Sequence, residues 1–430
     1  MARSSFHWVG GLALVALLPA CMKTYGADAP ASQPYTASVA AAAPALGLRA
    51  QPDGADLMTQ LAQRPSALVP GTPYAAVAAA VLQGSAFGAE AELRLAPLRG
   101  ETEELSWLPE LARGASLGAL RDMSARIIAR PERFDTSRKL AERDLAQAQI
   151  ETAALALAEE ANVHVHEALG QHLAGEEARA RAALYKASYR DLAGLDWPIS
   201  QAVASGELMS SELAQLRAEV ADVRRGLAQA REAEADARRE LVAMADGRLG
   251  GVAGAGALRE MVGAVPLPLM QAQAARAEQE ARQRLGTHAH MEGLQLRRSA
   301  EELDALEEAA GYAGEGAEAG DWGAPSLQVQ WPERAAGSEA EMQIGGLARD
   351  RDRLRSEAAA AAAQASAAAE VAALALRDYR AGRGHAAQLL GPLERALDAQ
   401  EAEITSRFAL ARTELDLAFL QGTLVAGSDL

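Results

Sequence analysis

Two pairs of side chains come nearest to the spacing of a metal site in this chain, one of two histidines and one of a histidine and a glutamate. His164 and His166 stand two apart in a helical stretch, so their side chains point roughly 200° from each other and cannot bind one metal ion together. His288 and Glu292 stand four apart, which suits two ligands on one helix face, but nearby glycines interrupt that helix and no third ligand is evident. The expectation is therefore solvated or packed histidines, without a metal.

Groups for catalysis are not assembled either. No nucleophile is combined with a general base, and no glycine-rich phosphate loop follows a strand. The sequence thus predicts a protein that is not an enzyme and holds no cofactor. The formal net charge of −16 argues against nucleic acid as a partner, because no basic surface is available to displace the counterions of phosphates. The adjacent carboxylates are typical of solvated helix faces: Glu159 and Glu160, Glu176 and Glu177, Asp350 and Asp352.

Cys21 is the single cysteine, which rules out an intramolecular disulfide. Arg3 and a short apolar run from Val9 to Leu18 precede it, and this run is too short for a membrane-spanning helix. Leu18 to Cys21, with the sequence LPAC, resembles the lipobox of bacterial lipoproteins. The resemblance implies that a signal peptide, residues 1–20, is removed, and that Cys21 carries lipid chains such as palmitate. An ordinary cleaved signal followed by a stray cysteine is the alternative.

The segment that begins at Cys21 is expected to tether the chain to a membrane. Met22 is not the aspartate that commonly retains bacterial lipoproteins in the inner membrane, which favours the outer membrane. Residues 21–73 are rich in Ala, Pro, Gly, Ser and Gln and have no lasting apolar period, which predicts an extended segment. Tyr74 to Ala96 then has the spacing of a helix, and Pro97 ends it.

Two long helical hairpins are predicted, one in each half of the chain. In the first, a helix from Asp135 to Ala193 is followed by a loop from Leu195 to Ala204, and the chain returns at Gly206. In the second, the reversal lies between Arg377 and Gln400, where Gly382 and Gly384 supply freely rotating backbone. Each returning helix has apolar residues three and four apart, as in a coiled coil: Leu213, Leu216, Val220, Val223, Leu227 and Ala230, then Leu390, Leu393, Leu397, Ile404, Phe408, Ala411, Leu415 and Ala418.

Between the helices lie segments with strand character. Polar and apolar residues alternate from Asp122 to Arg130, next to the passage Ala112 to Leu120, which predicts a half-exposed strand pair. Ser326 to Trp331 is the one convincing strand of the second half, and its partner would lie in or before the Gly-rich residues 311–323. Three tryptophans flank these segments and are interpreted as membrane-interface residues or as ordinary strand packing: Trp107, Trp322 and Trp331.

The predicted fold class is mainly α, with long antiparallel coiled-coil helices in two structural repeats and short β-strands between them. Aromatic residues are only 4%, which suits narrow seams between helices better than a thick core. The first repeat covers residues 74–246, a linker 247–267, the second repeat 268–426 and a tail 427–430. The reversals at Gly206 and Gly382 lie 176 positions apart. The two helices that lead to them differ in predicted length, so the tips are not expected to be strictly equivalent.

In its order of motifs the chain resembles the TolC-like outer-membrane efflux proteins. The resemblance implies a homotrimer with a shared outer-membrane β-barrel, to which the short strands contribute, and a periplasmic tunnel of helices. It also implies membrane lipid, a periplasmic adaptor protein and an inner-membrane pump or ATP-driven exporter as partners. The motifs that carry the resemblance are the lipobox, LPEL at Leu108–Leu111, PERFD at Pro131–Asp135, GELMSSELAQLRAE from Gly206, and YRAGRG with LDAQ between Tyr379 and Gln400.

The hairpin tips are the adaptor contacts that the resemblance implies. The function would be that of the channel component of a tripartite efflux or type I secretion system, anchored in the outer membrane and extending into the periplasm. A periplasmic coiled-coil scaffold lipoprotein that forms no pore is the alternative, and the exported substrate stays open. The expected contact residues are Gly206, Glu207, Leu208 and Met209 at the first tip, and Gly382, Arg383 and Gly384 at the second.

Overall fold

A computed structural model describes residues 57–84, 91, 95, 116–129, 136–254, 256–261, 264–287 and 333–430. The helices in these ranges are α1 (Leu57–Ala62), α2 (Pro73–Gly84), α3 (Leu117–Ile128), α4 (Ser137–Ala193), α5 (Asp196–Ala204), α6 (Ser210–Met244), α7 (267–287), α8 (Glu333–Arg380) and α9 (Leu390–Gln421). Short 3₁₀ turns occupy Ala386–Leu389 and Gly427–Asp429. The predicted mainly helical class is confirmed. Several predictions lie outside the described residues: the signal peptide with Cys21, the strand Ser326–Trp331, the three tryptophans, and the pair His288 and Glu292.

α4 is the central helix of the described fold. Thr136 caps its first turn, because the hydroxyl accepts a hydrogen bond from the backbone N–H of Lys139 at 3.3 Å. Residues 153–158 are all buried, and since six consecutive residues cover more than one full turn, neighbours surround α4 at this level. The helices that pack against it include α1, α2, α3, α6 and α9, and α7 contacts it through Glu278, which accepts a hydrogen bond from Thr152 at 3.2 Å. The prediction of one long helix ending at Ala193 is thus confirmed.

Two coiled-coil hairpins make up the long part of the fold. α6 returns along α4, and α9 returns along α8. The predicted seams of both returning helices are confirmed. α6 buries residues seven apart, at Leu216, Val223, Ala230 and Ala237, and α9 buries Leu390, Leu397, Ile404, Phe408, Leu415 and Ala418.

Residues 117–128 form helix α3, so the strand predicted at Asp122–Arg130 is wrong over the described residues. The Ser116 hydroxyl caps this helix by accepting from the N–H of Ala119 at 3.2 Å. The helical spacing of apolar residues begins at Leu117, before the alternating stretch, and can be recognised only when Leu117 and Leu120 are included. The buried positions are three and four apart: Leu117, Leu120, Met123 and Ile127.

The loop predicted from Leu195 to Ala204 is also wrong, because α5 occupies it. Pro198 lies in the first turn of α5, where the missing N–H of proline breaks no intrahelical hydrogen bond. Gly194, which directly follows α4, has a right-handed helical backbone conformation. The chain therefore passes from α4 into α5 with only a slight interruption.

The last part of the predicted extended tether is folded. α1 buries Met58 and Leu61, and Leu68 forms an isolated antiparallel bridge with Leu258 in the segment between α6 and α7. Residues 57–72 thus belong to the packed structure, which corrects the predicted boundary at residue 73. Residues 21–56 lie outside the described part of the chain.

Arg64 joins this N-terminal segment to the linker and to the second repeat. Its buried guanidinium donates to the carbonyls of Val265, at 2.9 Å, and of Gln421, and lies 3.1 Å from the Met270 sulfur. Burial lowers the pKa of Arg64 to about 10. Gln421 is the last residue of α9, so the cation lies at the negative end of that helix.

Candidate functional site

The first hairpin tip is the turn between α5 and α6. Its backbone reverses at Gly206, whose φ of +81° lies in the left-handed region that favours glycine. The N–H groups of Glu207 and Leu208 both donate to the Ala202 carbonyl, at 2.9 and 3.1 Å, and so satisfy the open end of α5. The predicted return of the chain at Gly206 is confirmed.

The second hairpin tip is the turn between α8 and α9. Gly382 has a φ of +71°, and its N–H donates to the Tyr379 carbonyl at 2.9 Å. Arg383 turns back onto α8, where its N–H donates to the Asp378 carbonyl at 2.9 Å and its guanidinium to the Asp378 carboxylate at 2.7 Å. Gly384 does not have a positive φ, so of the two predicted glycines only Gly382 is required by the turn.

One apolar cluster joins the two tips. α5 lies against the 3₁₀ turn Ala386–Leu389 that precedes α9, so residues from both repeats meet there. This packing makes one continuous end of the fold from two segments that are distant in sequence. The buried members, called the tip cluster below, are Leu192, Leu195, Ile199, Leu216, Val223, Ala386, Leu389, Leu390 and Leu397.

The tip residues predicted from the sequence differ in accessibility. Leu208 is half-buried and packs against the tip cluster, whereas Glu207 and Arg383 are exposed. Met209 is 71% exposed, and Trp197 of α5, which was not predicted as a site residue, is 72% exposed. A large aromatic side chain beside Pro198 in the segment between the long helices was the signal that could have indicated it.

Polar groups surround the tip cluster. Arg217 of α6 pairs with Asp196 at the start of α5 at 2.9 Å, which fixes α5 against α6. Gln215 of α6 donates to Glu394 of α9 at 3.3 Å, a direct contact between the two hairpins. Tyr185 of α4 has a pKa raised to about 12, first by burial and then by its hydrogen bond to Glu401.

Two histidines of α4, His166 and His172, pack against neighbouring segments, and His166 faces α9. Its Nε2 lies 2.8 Å from Asp416, and its ring stacks on Phe419 with centroids 4.4 Å apart. His172 is buried, and its Nε2 lies 2.9 Å from the Gly254 carbonyl. Over the described residues, no three His, Cys, Asp or Glu side chains are grouped in a way that could hold a metal ion.

A cavity of about 230 Å³ lies away from the tips, between α4, α6 and residues 249–253. Three of its charged lining residues satisfy one another, since Arg179 donates to Glu176 at 2.6 Å and to Glu234 at 2.9 Å. This arrangement stabilises the junction of the first hairpin with the linker. The tips, rather than this cavity, are therefore the candidate functional site.

Comparison with solved structures places the two joined hairpins among known proteins. No family model matches the sequence, and no curated protein matches it. The outer-membrane channel OprN aligns with a TM-score of 0.56 at 12% identity, over 88% of this chain and 97% of that chain. A membrane protein from Pseudomonas aeruginosa aligns with a TM-score of 0.51 at 13% identity, over 86% of this chain and 93% of that one.

The chain has the fold of the TolC-like outer-membrane channels. The open state of the Neisseria gonorrhoeae MtrE outer membrane channel also aligns, with a TM-score of 0.50 at 13% identity, over 68% of this chain and 74% of that one. The resemblance seen in the motifs is thereby confirmed for the fold. Within this TolC-like fold, the tip cluster and the turns at Gly206 and Gly382 form the end where both hairpins reverse.

Proposed function

We propose that the protein is the outer-membrane channel component of a tripartite efflux or type I secretion system. The observation that carries the proposal is the TolC-like arrangement of two coiled-coil hairpins that share one end. Long helices of this kind enclose a path for export when copies assemble side by side. The protein itself performs no catalysis, and the energy for transport comes from its inner-membrane partners.

A homotrimer is part of the proposal, and the outward face of α8 supports it. Val371 and Leu374 are more than half exposed in a stretch of Ala-rich helix. The portion Glu339–Arg380 is long and apolar enough to cross a membrane by length and composition, yet only 11% of its apolar window is buried within the chain. Because α8 already packs along α9, its remaining apolar face is suited to another copy of the protein.

The tips are the proposed docking surface for a periplasmic adaptor. Exposed Met209 at the first tip and exposed Arg383 at the second lie at the end that the tip cluster makes continuous. Exposed Met209 suits an apolar position of an adaptor hairpin, and the exposed ion pair of Arg383 with Asp378 suits polar positions beside it. The full proposed contact set is Gly206, Glu207, Leu208, Met209, Gly382, Arg383 and Gly384.

The proposed location is the outer membrane, with lipid on Cys21 and the helices in the periplasm. The order of the lipobox, the segment 21–56 and the packed residues from 57 supports an anchor joined to the fold by a tether. Replacing Cys21 by Ser is expected to abolish incorporation of radiolabelled palmitate. Incorporation that persists in this variant would contradict the anchor.

A pore-free periplasmic scaffold is the second candidate, and helix α3 favours it, because a strand pair of the first repeat was predicted there. The two functions differ in assembly and location. For a channel, the full-length chain fractionates with the outer membrane and cross-links as a trimer that co-purifies with an adaptor. A chain that remains monomeric in the membrane and stays soluble once residues 1–21 are removed would favour the scaffold instead.

A further inference from the structure

Near the tips, α6 and α9 face each other with carboxylates. On α6, Glu219 and Asp222 lie on the side that also carries Gln215, since residues four and seven apart share a helix face. On α9, Glu394, Asp398 and Glu401 have the same spacing, and Gln215 contacts Glu394 at 3.3 Å. Two acidic rows, one from each hairpin, therefore meet here and are called the acidic interface below.

The cations near the acidic interface are engaged with other groups. Arg217 pairs with Asp196 of α5, and Arg395 donates to the Gly391 carbonyl at 3.0 Å. Arg225 pairs with Asp222 and so neutralises one acidic member. From α4, Tyr185 contributes a hydrogen bond to Glu401, and the nearby cation Arg181 pairs with Glu177 at 2.7 Å.

Glu219 is the carboxyl group whose pKa reflects the environment of the acidic interface. Its pKa is raised above the ordinary value, first by partial burial and then by Glu394, Asp222, Asp398 and Glu401. Three of these four carboxylates belong to α9. The ionised state of Glu219 is therefore opposed by contact between the two hairpins.

Opposite forces thus meet at this end of the fold. The apolar tip cluster, with Leu216 and Val223 of α6 and Leu390 and Leu397 of α9, holds the hairpins together. The acidic rows beside it push them apart when they are ionised. Because the two contributions act on the same pair of helices, a change of charge can shift the balance between a closed and a separated arrangement.

We propose that the acidic interface is a proton-dependent switch that sets how closely α6 and α9 approach at the tips. A carboxyl whose pKa is raised by the contact favours the contact when it is protonated. Closure is then complete at pH values below the ordinary pKa of glutamate and is lost as the pH rises through the raised value. Given the proposed channel function, on which this consequence rests, the periplasmic end of the channel narrows under acid conditions and relaxes at neutral pH.

The test measures the distance between α6 and α9 directly. Spin labels are attached at A218C and A402C, both exposed positions beside the acidic rows, in the full-length chain, where the proposed lipid on Cys21 keeps that thiol from being labelled. Excess unlabelled chain ensures one labelled copy per assembly. The distance between the labels is expected to shorten by a few ångström when the pH is lowered from about 7.5 to about 5.

Neutralising the interface tests its cause. The triple variant E219Q/E394Q/D398N is expected to have the short distance already at neutral pH and to lose the pH response. A matched variant, E232Q/E240Q/E370Q, removes the same charge from exposed positions away from the interface and should respond like the parent. An unchanged distance in the parent, or the same response in both variants, would overturn the switch. Conductance measured on the same samples would separate this failure from failure of the channel proposal.

Discussion

Gly206 and Gly382 have the same backbone role at the two tips. Each has a positive φ at the reversal of a hairpin, and open space surrounds the position where a Cβ atom would lie. Conformation rather than crowding therefore requires glycine at both sites. Gly384 lacks the positive φ and serves as a natural control.

Replacing Gly382 by Val is expected to lower the free energy of unfolding by about 1–3 kcal/mol, because a β-branched residue is strained in the left-handed region. Gly384→Ala should change it by less than about 0.5 kcal/mol. Urea unfolding followed by circular dichroism measures both variants. Equal effects of the two substitutions would contradict the assigned turn.

Arg64 is the other residue whose role follows from its contacts. Replacing it by Met keeps much of its volume but leaves the carbonyls of Val265 and Gln421 without their donor. A loss of roughly 1–3 kcal/mol is expected from the unsatisfied groups. In this variant, backbone hydrogen exchange should become faster at 264–270 and at the end of α9 but not at the tips. Exchange rates equal to those of the parent protein at all of these sites would contradict the assigned role of Arg64.

At the scale of elements, the periodic helices could be predicted from the sequence and the short ones could not. The seam of α6 is visible because Leu216 and Val223 repeat at a local period of seven. α3 was missed because Leu117 and Leu120, which set its helical period, precede the alternating stretch. The packing of residues 57–72 could not be predicted, since the partners of Arg64 lie 201 and 357 positions away.

The candidate site divides in the same way. Turn chemistry at Gly206 and Gly382 is local and was predicted correctly. The tip cluster and the acidic interface depend on contacts between the two repeats, such as that between Gln215 and Glu394, 179 positions apart. No local pattern in one sequence contains that register.

The helical assignment of α3 has its own test. Ala125 is exposed on the helix, whereas a strand would place it on one face with Met123 and Ile127. Ala125→Gln is therefore expected to change the free energy of unfolding by less than about 0.5 kcal/mol. Leu120→Ala, at a fully buried position, should cost about 2–5 kcal/mol. If Ala125→Gln instead lowers the free energy of unfolding more than Leu120→Ala, the result would contradict the helix and support the predicted strand.

At the scale of the whole molecule, the apolar face of α8 is the feature that one copy of the chain leaves uncovered. Leu374→Glu is expected to leave each chain folded but to prevent trimer formation, because a charge would be buried between copies. Glu232→Gln, at an exposed position on α6, is the control and should assemble normally. Sedimentation in detergent separates monomer from trimer, and a trimeric Leu374→Glu protein would exclude this face from the interface.

Conductance is the property that separates a channel from every other use of this fold. The full-length protein, purified in detergent and added to planar lipid bilayers, is predicted to produce discrete single-channel current steps from its trimeric fraction. A preparation that is folded and lipid-bound but produces no current steps, whatever its oligomeric state, would contradict the proposed function.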